Sequence, residues 1–230
     1  LGCGLGLKSS AMALLYPEAQ VIGIDVTHAF RKLPKLFARH LSAPLPENLS
    51  FRQIEAGAPL PEDLAPDVVY SWSVMEHIGR AALPGVIRDL AARLAPGGVV
   101  LTQIAPLYHS PFGSHLQEFN PTPWAHLTLS IAELEASLNR DAGPKTGVGS
   151  ADWMFARFLE LNKITADELA LYFSQAGFSQ AENTRRTARE TPPEWLRLAH
   201  DKAALGTYEI FFAHRLGTGG PRLRGWFGRR

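Results

Sequence analysis

The chain has 230 residues, 46% of them hydrophobic and 20% charged, enough for a full core and unlike a disordered or collagen-like polymer. No stretch approaches the ~20 consecutive apolar residues of a membrane helix, because charges, Pro or Gly interrupt every candidate. The formal charge is +1, but Arg222, Arg224, Arg229 and Arg230 crowd the C-terminal end; the body is mildly acidic, which argues against nucleic acid as the main partner. A lone cysteine, Cys3, cannot form an internal disulfide, so a reducing cytoplasmic setting is expected.

The chain opens on Leu1-Gly2-Cys3-Gly4-Leu5-Gly6, a glycine-rich turn with neither an initiator Met nor a strand feeding it. The expectation is a truncated sequence whose first strand is missing. Lys8 to Tyr16 then reads as a helix stopped by Pro17. Val21-Ile22-Gly23-Ile24-Asp25 is a short buried-type strand closed by an acid. Ala29–Leu41 has helical spacing with an irregular start at Pro34, and Leu49–Ile54 is a further strand. Asp67–Trp72 is the next strand, Leu83–Leu94 an amphipathic helix ended by Pro96-Gly97-Gly98, and Val99–Ile104 another strand. Strands spaced by helices imply a doubly wound, mostly parallel α/β sheet with right-handed crossovers.

From residue 105 to 150 this alternation breaks. Pro106, Pro111, Gly113, Pro121, Pro123, Gly143, Pro144, Gly147 and Gly149 punctuate a segment carrying Tyr108, Phe112, Phe119 and Trp124 among His109, His115 and His126. An insertion of this length on a compact domain reads as a lid or binding segment. Helices are expected over Ala151–Leu161 and Thr165–Ala176, the latter with a capping box from Thr165 to Glu168. Strands at Phe178–Thr187 and Tyr208–His214 flank a helix at Glu194–Ala204. The whole reads as one domain, 1–216, followed by a basic, disordered tail at 217–230.

Gly2, Gly4 and Gly6 let a backbone approach a ligand closely. Their G-x-G-x-G spacing lacks the glycine that a nicotinamide dinucleotide fingerprint wants one position later, where Leu7 stands. Asp25, ~20 residues on at a strand end, is placed to accept both hydroxyl hydrogens of a ribose. Glu55 ends the following strand and Ser71–Ser73 the one after. In an open α/β sheet all these residues reach one carboxyl edge, where the ligand crevice lies.

This assembly resembles the class I S-adenosylmethionine-dependent methyltransferases of the small-molecule type. The shared stretches are Leu1–Gly6, Val21–Asp25, Glu55-Ala56, Asp67–Ile78 and Leu94–Leu101, so the resemblance covers about residues 1–105. Gly177-Phe178 and Tyr208–His214 fit that Rossmann-like fold's closing antiparallel pair. Glu55 departs from the Asp of many relatives, and the acid that normally precedes Leu1 is absent. The resemblance implies S-adenosyl-L-methionine as cofactor. Gly2, Cys3, Gly4 and Gly6 would line its methionine end, Asp25 with Val26 its ribose, Glu55 with Ala56 its adenine edge, and Ser71, Trp72 and Ser73 would pass beneath the methyl donor. It also implies in-line transfer to a small-molecule acceptor, with alignment and exclusion of water supplying much of the acceleration.

The acceptor side is less legible. His77 is either a base near the acceptor or, with Glu76, a brace for the next helix; His115 is either a base or a plain loop residue. His109, His115 and His126 have no ligand spacing that argues for a metal. Trp124 and Trp153 suit packing better than an aromatic wall. Neither nucleic acid nor membrane is an expected partner, and oligomeric state is open. The rival readings are a non-catalytic cofactor-binding module that regulates a partner, and a nicotinamide oxidoreductase, which Leu7 disfavours.

Overall fold

The computed structural model describes residues 1–142 and 149–216. Gly143, Pro144, Gly147 and the tail from Gly217 lie outside the described residues. Helix α1 (Leu7–Leu15) leaves the glycine turn with Gly6 as its N-cap, and packs on strands β1 (Val21–Asp25) and β2 (Leu49–Gln53). Between them, Ala29–Lys32 forms a single 3-10 turn before α2 (Leu33–Leu41). Pro34 explains this break: it is accommodated in a first helical turn, but an α-helix running through it would lose a hydrogen bond.

Strand β3 (Val68–Trp72), helix α3 (Leu83–Arg93) and strand β4 (Val99–Ile104) form a right-order β-α-β unit with parallel strands, in which Ser71 pairs with Thr102 and Trp72 with Gln103. The insertion contributes two short helices, α4 (Ala125–Thr128) and α5 (Ile131–Ala136). Helix α6 (Ala151–Leu159) is capped by Ser150, and α7 (Ala166–Gln175) starts at the capping box of Thr165 and Glu168. Such a cap satisfies amides that the helix leaves open, for about 1 kcal/mol. Strand β5 (Phe178–Thr187) follows. The helix expected over Glu194–Ala204 is instead two, α8 (Glu194–Ala199) and α9 (Lys202–Gly206), because the Asp201 carboxylate accepts from the Ala204 amide and starts a new helix there. Strand β6 (Thr207–Leu216) closes the fold.

The sheet is Rossmann-like but not one continuous ladder among the described residues. β1 and β2 form a parallel pair, while β3, β4, β6 and β5, in that order, form a second sheet whose β6 is antiparallel to both neighbours. The opening segment lies between the two: the Leu1 nitrogen donates to Tyr70 O on β3 at 2.8 Å, and the Cys3 amide to Ile24 O on β1 at 3.0 Å. Left-handed conformations at Gly2 and Gly4 bend this segment, so it touches each neighbour without extending a ladder.

All six residues of β4 are buried, as its apolar run requires. Val100, Ile104, Ile210 and Phe212 pack under Leu83, Ile87 and Leu90 of α3 and Leu169 and Phe173 of α7. A separate apolar cluster ties the insertion to α6, through Tyr108, Leu116, Phe119 and Leu134 against Met154, Phe155 and Phe158. Trp124 is buried against Leu196 and Leu205 and donates its indole N–H to His109 O, whereas Trp153 is exposed. The packing role expected of both tryptophans is therefore the one Trp124 has, and not that of Trp153.

Candidate active site

The three glycines of the turn answer different demands. All have positive φ (67°, 53° and 82° at Gly2, Gly4 and Gly6), a region an L side chain enters only at a cost. A Cβ on Gly2 would overlap the Val74 side chain, and one on Gly6 would lie 2.6 Å from Phe51 Cζ. A Cβ on Gly4 would meet nothing within 4 Å. Packing therefore fills the space beside two of the glycines, while the third borders open space at the start of α1. The first amides of that helix have no intrahelical partner, and they favour negative or hydrogen-bond-accepting groups.

Asp25, at the end of β1, reaches this turn directly. Its Oδ2 accepts from the Gly4 amide at 2.7 Å, and its Oδ1 accepts from the Thr27 amide and hydroxyl, both at 2.8 Å. Val26 beside it is exposed, and its carbonyl accepts from Gln53 Nε2. The Ile54 amide donates to Asp25 O, so the chain leaving β2 passes next to Asp25 and carries Glu55 and Ala56, both exposed, into the following turn. Cys3 is half-buried, and that burial, reinforced by the Asp25 charge, pushes its thiol up to about 11.

At the end of β3 the side chains alternate. Ser71 is fully buried on the face covered by α3 and α7, and its hydroxyl has no partner there; it does not reach the crevice. Trp72 points the other way, with Lys8 Nζ of α1 4.7 Å from its ring centroid. Ser73 has φ 51° and is tied twice to Gln103, its amide donating to Gln103 O at 2.9 Å and its hydroxyl to Oε1 at 3.3 Å.

The chain then makes one 3-10 turn, Met75–His77, clamped by Asn162. Asn162 Nδ2 donates to Met75 O at 2.7 Å and to Ile78 O at 2.8 Å, and its amide donates to Glu76 O. Glu76 points inward, with both carboxylate oxygens buried and unpartnered, and burial raises its pKa to about 8. His77 points the other way and keeps solvent contact, while the protein around it lowers its pKa, helped by the Arg157 charge.

The two histidines singled out in the sequence meet here. His77 and His115 are 38 residues apart, yet their ring centroids lie 5.7 Å apart, edge to face. His115 has φ 62°, and its Nε2 is 3.1 Å from Pro106 O. A carbonyl only accepts, so Nε2 carries the hydrogen and Nδ1 keeps a lone pair. Burial first, and the neighbouring His77 second, lower the His115 pKa to about 4, so the ring is neutral at neutral pH. His126, by contrast, is buried inside the insertion with Nε2 2.6 Å from Tyr108 O, a packing position. Among the described residues no group of three or more His, Cys, Asp or Glu side chains is arranged to hold a metal ion.

The glycine turn, the Asp25 carboxylate and the histidine pair all lie at the carboxyl edge of the parallel strands. A family model for a methyltransferase domain matches residues 1–100, the part that holds the turn, Asp25, Glu55 and His77. Over those residues the chain is similar to methyltransferase domains. A trans-aconitate 2-methyltransferase of Methylobacterium radiotolerans is 34% identical to this chain over 104 residues, 45% of this chain and 36% of that protein. The chain thus spans about a third of the length of that curated relative. Among solved structures, the [4+2]-cyclase SpnF superposes with a TM-score of 0.54 at 16% identity, over 95% of this chain and 73% of its own. The N-methyltransferase NodS from Bradyrhizobium japonicum, solved with S-adenosyl-L-homocysteine, superposes with a TM-score of 0.50 at 12% identity, over 94% of this chain and 74% of its own. At those identities the likeness is one of fold.

Sequence reasoning missed Gln103, and it marked Asn162 only as one of a substrate-side stretch, Leu159–Ile164, without its clamping role. Both are buried polar residues, Gln103 inside an apolar strand, and a buried amide signals a partner that must be found elsewhere. The signal was present, but the partners lie on other elements.

Proposed function

We propose that this chain transfers the methyl group of S-adenosyl-L-methionine to a small-molecule acceptor held between the carboxyl edge of the sheet and the insertion at 105–150. The observation that carries this reading is the contact between the Gly4 amide and the Asp25 carboxylate beside open space at the start of α1. Residues of this type fit an adenosyl group: a backbone that admits close approach, and an acid with a spare acceptor position.

When bound, S-adenosyl-L-methionine supplies an electrophilic methyl on a sulfonium. The backbone of Gly2, Cys3, Gly4 and Gly6 would line its methionine end, and Asp25, with Val26 beside it, would accept the ribose hydroxyl hydrogens. Glu55 and Ala56 would take the adenine edge. Trp72 and Ser73 would form the floor, with Ser71 contributing backbone only. His115 Nδ1 would accept the acceptor's proton where the acceptor carries one, with Pro106 O holding the ring in the right tautomer and His77 as its neighbour. The insertion would exclude water from the reacting atoms. The one-domain extent 1–216 is part of the same proposal.

The family match lies within residues 1–100, outside the insertion, so we do not carry the relatives' trans-aconitate over to this chain. Calorimetry of the full-length protein tests the cofactor half of the reading: S-adenosyl-L-methionine should bind and NAD should not, and the reverse overturns it. A screen for labelled methyl tests the rest. Tight cofactor binding with transfer to no small molecule would favour a regulatory binding module.

A further inference from the structure

Gln103 is 2% exposed and has both ends of its side-chain amide occupied. Its Nε2 donates to Glu209 Oε1 on β6 at 2.8 Å, and since a carboxylate can only accept, Oε1 is the end that faces the Ser73 hydroxyl. Glu209 Oε2 in turn pairs with Arg186 on β5 at 3.0 Å, but Arg186 is three-quarters exposed and contributes little. The Ser73 backbone is left-handed, a conformation a non-glycine residue keeps only where its surroundings hold it there.

Both halves of the site hang from that bend. Val74, the next residue, packs so closely on Gly2 that no Cβ fits between them. Val74 O also accepts from the His77 amide at 2.9 Å, which starts the turn that presents His77 to His115. We propose that Gln103 is a positioning residue: backed by Glu209, it holds the Ser73 bend so that Val74 seats the glycine turn and His77 faces His115. The inference rests on the methyl-transfer reading for its functional consequence, and on the ligand-free fold for its geometry.

The test uses the full-length protein, with S-adenosyl-L-homocysteine as the probe in calorimetry and hydrogen–deuterium exchange read without ligand. Gln103→Met keeps the volume and removes both hydrogen bonds. It should bind the probe about tenfold more weakly and speed exchange in segments 1–7 and 72–78, while leaving exchange in α7 unchanged. Glycine adopts the left-handed bend without strain, so adding Ser73→Gly to Gln103→Met should restore slow exchange in segments 1–7 and 74–78; damage spread through the core would not respond. Gln103→Glu, which sets two carboxylates together, should bind worse than Gln103→Met, and the double swap with Glu209→Gln should recover.

Unchanged binding and exchange in Gln103→Met overturn the proposal, as does failure of both rescues. If the wild type fails to bind the probe, the methyl-transfer reading falls, and the exchange experiment still decides whether Gln103 holds the bend. Should Gln103→Met not fold, the Gln103→Glu and Glu209→Gln pair makes the same decision.

Discussion

Glu76→Gln gives the most direct test of the buried carboxyl behind the histidine pair. The folded carboxyl has a pKa of about 8 against 4.5 for the free group, so near neutral pH it keeps a proton that the unfolded chain has released. The native state then binds more protons than the unfolded state, and stability falls as pH rises from the unfolded to the folded pKa, by at most about 1.4 kcal/mol per unit. The buried histidines work in the opposite sense but lower down. His115, His126 and His214, each at about 4 when folded and 6.5 when free, add stability as pH rises to 6.5. Between pH 6.5 and 8 Glu76 stands clear of them, and over that window the wild type should lose about 2 kcal/mol relative to Glu76→Gln. Urea unfolding of both proteins at the two pH values measures the effect. A difference that moves by less than about 0.5 kcal/mol would show that Glu76 is ionised in the folded protein, and that its surroundings are more polar than the buried, unpartnered oxygens indicate.

Asp25→Ala should weaken S-adenosyl-L-methionine binding by about 1–3 kcal/mol, the loss of charge-assisted hydrogen bonds together with a loosened Gly4 turn; equal affinity in calorimetry would remove Asp25 from the ribose role. Gly2→Ala should cost about 2–4 kcal/mol of stability from its overlap with Val74, whereas Gly4→Ala should cost only the ~1 kcal/mol of its left-handed backbone and lose probe affinity instead. Equal drops in melting temperature would contradict open space beside Gly4. His115→Phe should lower turnover and leave cofactor affinity unchanged. With a folded pKa of about 4, wild-type turnover that depends on the neutral ring should be level near pH 7 and fall only as pH approaches that value; an identical acid limb in His115→Phe would assign it to another group.

Much of the site was legible because its signals are local. A glycine turn, an acid closing a short apolar strand, and a capping box at Thr165 each declare themselves within a few residues, since φ, strand ends and helix starts are governed by near neighbours. The placing of Gly4 and Asp25 at one edge was also readable, because both sit at ends of consecutive elements that a parallel fold brings together; their direct hydrogen bond was not. Helix breaks were harder to see. The interruption before Asp201 depends on a side chain competing for an amide, which spacing alone does not display.

The sequence by itself thus determined the order of nearly all the elements and the carboxyl edge at which Gly4 and Asp25 stand. Tertiary structure alone decided what stands opposite. It turned Ser71 inward and Trp72 outward, through the two-residue alternation of a strand whose faces are told apart only by which helices cover them. It brought His77 to His115 and Ser73 to Gln103 and Glu209, contacts that link strands and loops from 30 to 106 residues apart. Register between such distant segments is set by packing of the whole core, so no local pattern encodes it.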